Sequence, residues 1–182
     1  MLSGGIGSGK SAVRKMLDDW GVLTIDADAI GHEVLDPTGP AFSAVAERWR
    51  DVVENGRIDR TALAGIVFSD PVQLAELEAI THPHIFGRIQ GLVEESPGKT
   101  VVEVPVLNHS LGPGWQRLIV DCLDPVRVDR LIERGMGRSD VVARMNTQPQ
   151  RAQWLALADL VIPNHGSLDE MKAAVDEITP VL

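Results

Sequence analysis

A glycine-rich segment near the start of the chain constrains the fold more than any other feature. The run Gly4-Gly5-Ile6-Gly7-Ser8-Gly9-Lys10-Ser11 matches G-x-x-x-x-G-K-[ST] at every fixed position. Glycines let a backbone turn its N–H groups inward around a phosphate, and the dipole of a following helix favours the negative charge. The segment therefore predicts a phosphate-binding loop between a buried strand and an α-helix. Lys10 is expected to reach the β and γ phosphates, and the Ser11 hydroxyl to bind Mg²⁺.

The residues on either side of this loop fit the prediction unequally. After it, apolar residues recur on one helical face at Ala12, Val13, Met16, Leu17 and Trp20. Gly21 follows where a C-terminal helix cap belongs. Before it, residues 1–3 stand where a strand of about five residues is expected. We therefore expect either a start further upstream or a truncated first strand, and a longer form of greater stability.

Short apolar runs with strand character recur along the chain and alternate with helical patterns. They lie at 22–25, 100–104, 118–122 and 160–162, and the stretch from 29 to about 92 is mostly helical. Within that stretch, prolines at 37, 71 and 83 indicate turns and helix starts. Strands this apolar indicate a parallel sheet covered by helices on both faces. Ser167 and Glu170 fit a capping box at the start of a last helix.

Composition and charge narrow the class of protein. No apolar run approaches the roughly 20 residues that cross a bilayer, and no signal peptide is evident, so we expect a single cytoplasmic domain. The single cysteine, Cys122, excludes an internal disulfide and is expected to be a buried thiol. A net charge of −9 argues against nucleic acid or an anionic membrane as partner.

Two aspartates follow the second predicted strand. Asp26 and Asp28 alternate at its carboxyl end, the edge at which open parallel sheets bind ligands. Their side chains point to opposite faces if the strand continues, so one can face the phosphates while the other caps the next helix. A plain capping role for either aspartate stays open at this point.

The loop alone is shared by several classes of protein. A regulatory GTPase should carry Asn-Lys-x-Asp, which is absent, and Asp36-Pro37-Thr38-Gly39 matches its Asp-x-x-Gly signature only as a turn between helical stretches. A small-molecule kinase fits better, because it needs a base, an acceptor-binding insertion and mobile arginines. Another metabolite or nucleoside kinase stays open, as does a nucleotide-binding regulator that uses Lys10 and Ser11 without Asp28.

A set of segments spread over nearly the whole chain resembles the dephospho-CoA kinase family. The set comprises the phosphate loop, Ile25-Asp26-Ala27-Asp28, His82-Pro83, Val104-Pro105-Val106-Leu107, Arg130-Leu131 with Arg134, Arg144 with Gln148, and Ala158-Asp159 through Ile162, Asn164 and Gly166. The resemblance implies ATP-dependent phosphorylation of the ribose 3′-hydroxyl of dephospho-CoA, the final step of coenzyme A synthesis. The implied ligands are ATP, dephospho-CoA and Mg²⁺, and the protein is expected to be a monomer.

The resemblance also implies an architecture. It is α/β, of the P-loop kinase type, with three α/β/α layers, a parallel sheet, a helical substrate-binding insertion and a lid. The nucleotide-binding core would comprise 1–28, 100–126 and 152–182, the CoA-binding region 29–99, and the lid 127–151.

The implied site residues fall into three groups. The catalytic group is Asp28 as general base, Lys10 and Arg134. The ATP-binding group is Gly5, Gly7, Ser8, Gly9, Lys10, Ser11, Ala12, Arg138, Arg144 and Asn164. The substrate-binding group is Asp28, His82, Pro105 and Leu107. Two departures from the family pattern are Ser3 where Thr is usual and His109 where Glu is usual, the second of which lies near the implied acceptor contacts.

The predicted lid carries an island of positive charge. Between 127 and 151 there are six arginines against three acids. The resemblance implies that Arg134, Arg138 and Arg144 face ATP, a role that suits arginine because its planar guanidinium pairs bidentately with phosphate oxygens. For Arg127, Arg130 and Arg151 a solvated helix face with acidic partners is the favoured interpretation.

Overall fold

The computed structural model describes residues 1–104 and 111–182. In chain order the elements are β1 (Leu2–Ser3), α1 (Lys10–Asp19), β2 (Leu23–Asp26), α2 (Ala27–Val34), α3 (Phe42–Arg48), β3 (Val53–Glu54), β4 (Arg57–Ile58), α4 (Arg60–Val67), α5 (Pro71–Glu95), β5 (Thr100–Glu103), β6 (Leu118–Asp121), α6 (Asp124–Glu133), α7 (Arg138–Asn146), α8 (Arg151–Ala156), β7 (Leu160–Pro163) and α9 (Leu168–Ile178). The chain divides into two compact units, the first formed by Met1–Ile25 with Ser96–Leu182 and the second by Asp26–Glu95.

The first unit is built on a five-stranded sheet in the order β2-β5-β1-β6-β7. β1 pairs in parallel with β5 and β6, and β6 pairs in parallel with β7. Leu2 lies opposite both Glu103 and Leu118, so a strand of only two residues occupies the centre of the sheet. The parallel sheet expected from the apolar runs is confirmed.

Side chains of β6 alternate between the two faces of this sheet. Leu118 and Val120 join a core cluster with α1 and α9, while Ile119 packs against Trp154 of α8. The cluster on the first face contains the buried residues Leu2, Val13, Leu17, Val22, Val101, Leu118, Val120, Ile162, Met171 and Val175. Period-two alternation with helices on both sides is the layered arrangement that the sequence predicted.

The ends of the helices in this unit follow the local signals. Gly21 has φ +74° and follows Trp20, the C-cap residue of α1, which is the position where a left-handed glycine ends a helix. Ser167 and Glu170 form the predicted capping box, with the Glu170 N–H donating to Ser167 Oγ and the Ser167 N–H donating to Glu170 Oε2. Cys122 is buried, as expected. Among the described residues, no helix is both long enough and apolar enough to cross a bilayer.

The second unit packs α2 and α4 against α5 and adds a two-stranded hairpin, β3 with β4. Asn55 and Gly56 connect these strands with φ values of +50° and +74°. Two successive positive φ values are typical of the type I′ turn, which Asn-Gly favours. The interpretation of this region as mostly helical therefore missed a hairpin that the Asn-Gly pair signals.

The interpretation of Pro83 as a helix start is wrong. Pro71 does begin α5, but the helix continues through Pro83 to Glu95. Proline lacks an N–H, so the helix loses the bond to the carbonyl four residues earlier and keeps its other turns. On the preceding turn, the Thr81 hydroxyl donates to the Leu77 carbonyl at 2.8 Å. Packing along 25 residues outweighs a single local breaker.

Candidate active site

The phosphate loop lies between β1 and α1, where the glycine pattern placed it. The Ser8 N–H donates to the Gly5 carbonyl at 3.1 Å, and this bond tightens the loop. Across residues 1–104 and 111–182, no residue accepts a hydrogen bond from the N–H groups of Gly7, Gly9 and Ser11. Unpaired donors at the N-terminus of a helix form an anion-binding arrangement.

Lys10 and Ser11 occupy the first turn of α1. Lys10 Nζ donates to the Gly4 carbonyl at 2.9 Å, so the side chain bends back along the loop. The Ser11 side chain is exposed. Ser8 Oγ is buried and has no hydrogen-bond partner among the described residues.

Asn164 braces the loop from the end of β7. It is 5% exposed, and its Nδ2 donates to the Ser8 carbonyl at 2.6 Å. Arg130 Nη2 donates to Asn164 Oδ1 at 3.0 Å, which fixes the orientation of the amide. A Cβ on Gly9 would collide with Asn164 Nδ2, so the close approach requires glycine at that position.

Arg127 approaches the same loop from α6. Its Nε donates to the Ile6 carbonyl at 2.8 Å, and its Nη1 pairs with Asp124 Oδ1 at 2.8 Å. Its guanidinium lies so close to Gly5 that a Cβ there would collide with it. At 4% exposure, Arg127 is not on a solvated helix face, and the favoured interpretation of this residue is wrong.

Arg151 is held by the end of β6. Its Nε and Nη2 donate to the two carboxylate oxygens of Asp121 at 2.7 and 2.6 Å, and these bonds raise the pKa of the guanidinium. His165 Nε2 lies 3.4 Å from Asp121 Oδ2. The Asp121 carboxylate is buried, so the bidentate pair fastens α8 to the sheet edge beside the loop.

The three arginines expected to face ATP lie elsewhere on the predicted lid. Arg134 caps the C-terminus of α6, Arg138 begins α7, and Arg144 lies in the last turn of α7. All three are exposed. No described residue forms a side-chain hydrogen bond or ion pair with them, so their guanidinium groups keep their donors for a ligand.

The two aspartates after β2 take different roles. Asp26 caps α2, with its Oδ1 accepting the Ala29 N–H at 3.0 Å. Asp28 is exposed in the first turn of α2 and is not the cap. His82 lies within α5, with its ring centroid 5.3 Å from that of Phe86. The predicted substrate contacts Pro105 and Leu107 lie outside the described residues, as does His109.

Sequence reasoning missed the residues that hold the loop in place. They are Arg127 and Gln148, which bond to Ile6, and Arg130, which bonds to Asn164. The signal available was the spacing of Arg127 and Arg130, which places both on one side of a helix that follows a strand adjacent to β1.

Comparison with known proteins gives the family. The profile described as dephospho-CoA kinase matches residues 1–170. The chain belongs to the dephospho-CoA kinase family. The dephospho-CoA kinase of Thermobifida fusca is 41% identical over 184 positions, which cover 97% of this chain and 92% of that protein. That of Corynebacterium glutamicum is 37% identical and covers 97% of this chain and 95% of that protein.

Comparison with solved structures identifies the fold. A protein of Thermus thermophilus superposes with a TM-score of 0.85 at 31% identity and covers all of this chain and 95% of its own. The dephospho-CoA kinase of Campylobacter jejuni superposes with a TM-score of 0.69 at 24% identity, and the match covers 98% of this chain and 94% of that one. Shikimate kinase of Bacteroides thetaiotaomicron superposes with a TM-score of 0.51 at 13% identity, and the match covers 99% of this chain and 95% of that one. The last two show the fold, and the predicted P-loop kinase fold is confirmed.

Proposed function

We propose that this protein transfers the γ-phosphoryl group of ATP to the ribose 3′-hydroxyl of dephospho-CoA, forming coenzyme A and ADP. The observation that carries the proposal is the loop with open N–H groups at Gly7, Gly9 and Ser11, in a chain of the dephospho-CoA kinase family. The loop provides the nucleotide site, and membership of the family indicates that dephospho-CoA is the acceptor.

The phosphates are bound by groups that carry or focus positive charge. The loop N–H groups and the dipole of α1 hold the β and γ phosphates, and Lys10 leaves the Gly4 carbonyl to pair with them. Arg134, Arg138 and Arg144 supply donors to the oxygens of the transferring group. Because charge is spread over those oxygens in the transition state, fixed donors lower the barrier.

Asp28 serves as the general base. Asp26 accepts the capping bond of α2 from the Ala29 N–H, and Asp28 is the exposed carboxylate in the first turn of that helix. In the proposed step the 3′-hydroxyl oxygen forms a bond to the γ phosphorus, and its proton passes to Asp28. The bond from the γ phosphorus to the bridging oxygen breaks, and ADP leaves with that electron pair. His82, Pro105 and Leu107 complete the proposed acceptor contacts, and Asn164 the adenine contact.

Mg²⁺ fits the donors that the loop offers. Among the described residues, no cluster of three or more His, Cys, Asp or Glu side chains forms a resident metal cage. Mg²⁺ in phosphoryl-transfer enzymes takes few protein ligands and several phosphate and water oxygens, and the exposed Ser11 hydroxyl would be one of the protein ligands. When bound, the ion neutralises charge on the β and γ phosphates.

The net charge of −9 supports small anionic substrates at a local basic site over nucleic acid or a membrane surface. We propose that the protein acts in the cytoplasm as a monomer. Gel filtration with light scattering tests the monomeric state.

Measuring ADP release with dephospho-CoA, adenosine and shikimate as separate acceptors tests the proposal. Dephospho-CoA should stimulate ADP release strongly, and mass spectrometry should find one added phosphate on it. Lys10→Met should abolish the stimulation, while Lys172→Met, a surface change on α9, should preserve it. Stimulation by adenosine or shikimate alone would assign the chain to another kinase activity, and ATP binding without any stimulation would favour a regulator.

A further inference from the structure

The peptide between Ile6 and Gly7 is held from the side of α6. Arg127 Nε donates to the Ile6 carbonyl at 2.8 Å. In a trans peptide the C=O and N–H groups lie in one plane and point in opposite directions. The bond to the Ile6 carbonyl therefore also fixes the direction of the Gly7 N–H, which points away from Arg127.

The Gly7 N–H is one of the open donors of the loop. Gly7 has φ +77°, and no described residue accepts its hydrogen bond. The Ile6 N–H, in contrast, donates to Gln148 Oε1 at 2.8 Å and is not available to a ligand. The Ile6 N–H is thus bonded within the protein, whereas the Gly7 N–H is open to an anion.

Arg127 is itself held rigidly. Asp124 Oδ1 pairs with its Nη1 at 2.8 Å, and Gln148 Oε1 lies 3.4 Å from its Nη2. Its side chain is 5% exposed, and its guanidinium packs directly on Gly5. A buried arginine with acceptors at three nitrogens has one orientation, so it can impose that orientation on the peptide it binds.

We propose that Arg127 is a positioning residue for nucleotide phosphate. Its fork, anchored by Asp124, holds the Ile6 carbonyl so that the Gly7 N–H donates to a phosphate oxygen of bound ATP. The inference rests on the proposed function for the identity of its ligand. Arg127 does not touch the reacting atoms and acts through the Ile6–Gly7 peptide.

Two substitutions separate hydrogen-bond geometry from charge. Arg127→Met removes both, and Arg127→Lys keeps the charge but loses the fork that spans Ile6 and Asp124. Arg48→Met makes the same chemical change at the exposed ion pair with Glu76 and serves as control. Affinity for ATP and ADP is measured by calorimetry well below the unfolding temperature, beside kcat and both KM values.

Arg127→Met should weaken ATP binding about tenfold or more, the effect of losing one hydrogen bond to a charged group. KM for ATP should rise while KM for dephospho-CoA stays within about twofold. The ATP affinity of Arg127→Lys should be closer to that of Arg127→Met than to that of the wild type. The ATP affinity of Arg48→Met should equal that of the wild type. Addition of ADP should move the Gly7 amide proton downfield in the wild type, and less in Arg127→Met.

Wild-type affinity in Arg127→Lys would attribute the effect to charge and overturn the geometric role. Unchanged affinity in Arg127→Met with a lowered Tm would leave only a structural role. If Arg127→Met does not fold, Asp124→Ala decides, because it releases Nη1 alone and should weaken ATP binding about threefold. Unchanged affinity there would also overturn the proposal. The binding measurements stand even if dephospho-CoA proves not to be the acceptor, so the two proposals fail separately.

Discussion

The side-chain amide of Asn164 donates a 2.6 Å hydrogen bond to the main-chain carbonyl of Ser8, 156 residues earlier in the chain. Asn164 follows β7, while Arg127 and Gln148 hold the same loop from α6 and from the turn after α7. Side chains from three parts of the chain therefore determine the shape of one short loop. Its geometry depends on tertiary structure, although its sequence alone is enough to recognise it.

Asn164→Asp should destabilise the protein and weaken ATP binding. The substitution replaces the donor to Ser8 with a carboxylate oxygen that repels the carbonyl, in a position only 5% exposed. We expect a loss of about 1–3 kcal/mol in the free energy of unfolding, measured by urea denaturation. Asn146→Asp, at the exposed end of α7, should change stability by less than about 0.5 kcal/mol. Equal effects of the two substitutions would contradict the bracing role.

Asp28→Asn should lower turnover far more than nucleotide affinity. The amide keeps the size of the side chain but cannot take the proton of the acceptor hydroxyl. We expect kcat to fall at least about 100-fold, with the Kd for ATP within about threefold of the wild type. Steady-state kinetics and calorimetry measure the two quantities, with Asp36→Asn in an exposed turn as control. Retained turnover would remove Asp28 from the role of base.

Thr100→Val should stabilise the fold. Thr100 Oγ1 is buried at the start of β5 and has no hydrogen-bond partner among the described residues. Valine has nearly the same shape and removes that desolvated hydroxyl, so we expect a gain of about 1 kcal/mol. Thr179→Val is the matched control, because Thr179 Oγ1 donates to the Val175 carbonyl at 2.7 Å. Thr179→Val should lower the free energy of unfolding. A lower free energy of unfolding for both variants would show that the Thr100 hydroxyl has a hydrogen-bond partner in solution.

Cys122 should react slowly with iodoacetamide in the folded protein. Burial raises the pKa of its thiol, an effect opposed by the charges of Arg130 and Arg127, and the thiolate is the reactive form. The urea-denatured chain at the same pH provides the fast reference rate. Because the unfolded thiol ionises first, this group also makes folding stability fall as the pH rises above about 9. Equal labelling rates in the two states would contradict the burial.

The parts of the fold that sequence predicted are those with local causes. The glycine pattern located the loop, α1 ends near its glycine cap, and apolar runs located β2, β5, β6 and β7 within one or two residues. Pro83 was misread because local propensity favours a helix start there, while packing of α5 against α2 and α4 favours continuation.

The site was predicted only in part, for a related reason. The sequence shows six arginines in one stretch but not which of them α6 turns toward the loop. Arg127 was assigned to solvent because exposed acid–arginine pairs are common, and its partner Asp124 fits that pattern. Only the placement of α6 beside the loop reveals that the guanidinium packs on Gly5.

The central position of β1 determines when the nucleotide site can form during synthesis. The ribosome releases β1 before β5 and β6, the strands that pair with it, which begin at Thr100 and Leu118. The nascent β1 therefore stays unpaired until those strands have been synthesised. The unit Asp26–Glu95 is contiguous, and its helices and hairpin find their partners within it. The helical unit can therefore assemble early on the ribosome, whereas the sheet can close around the loop only after β6 has been synthesised.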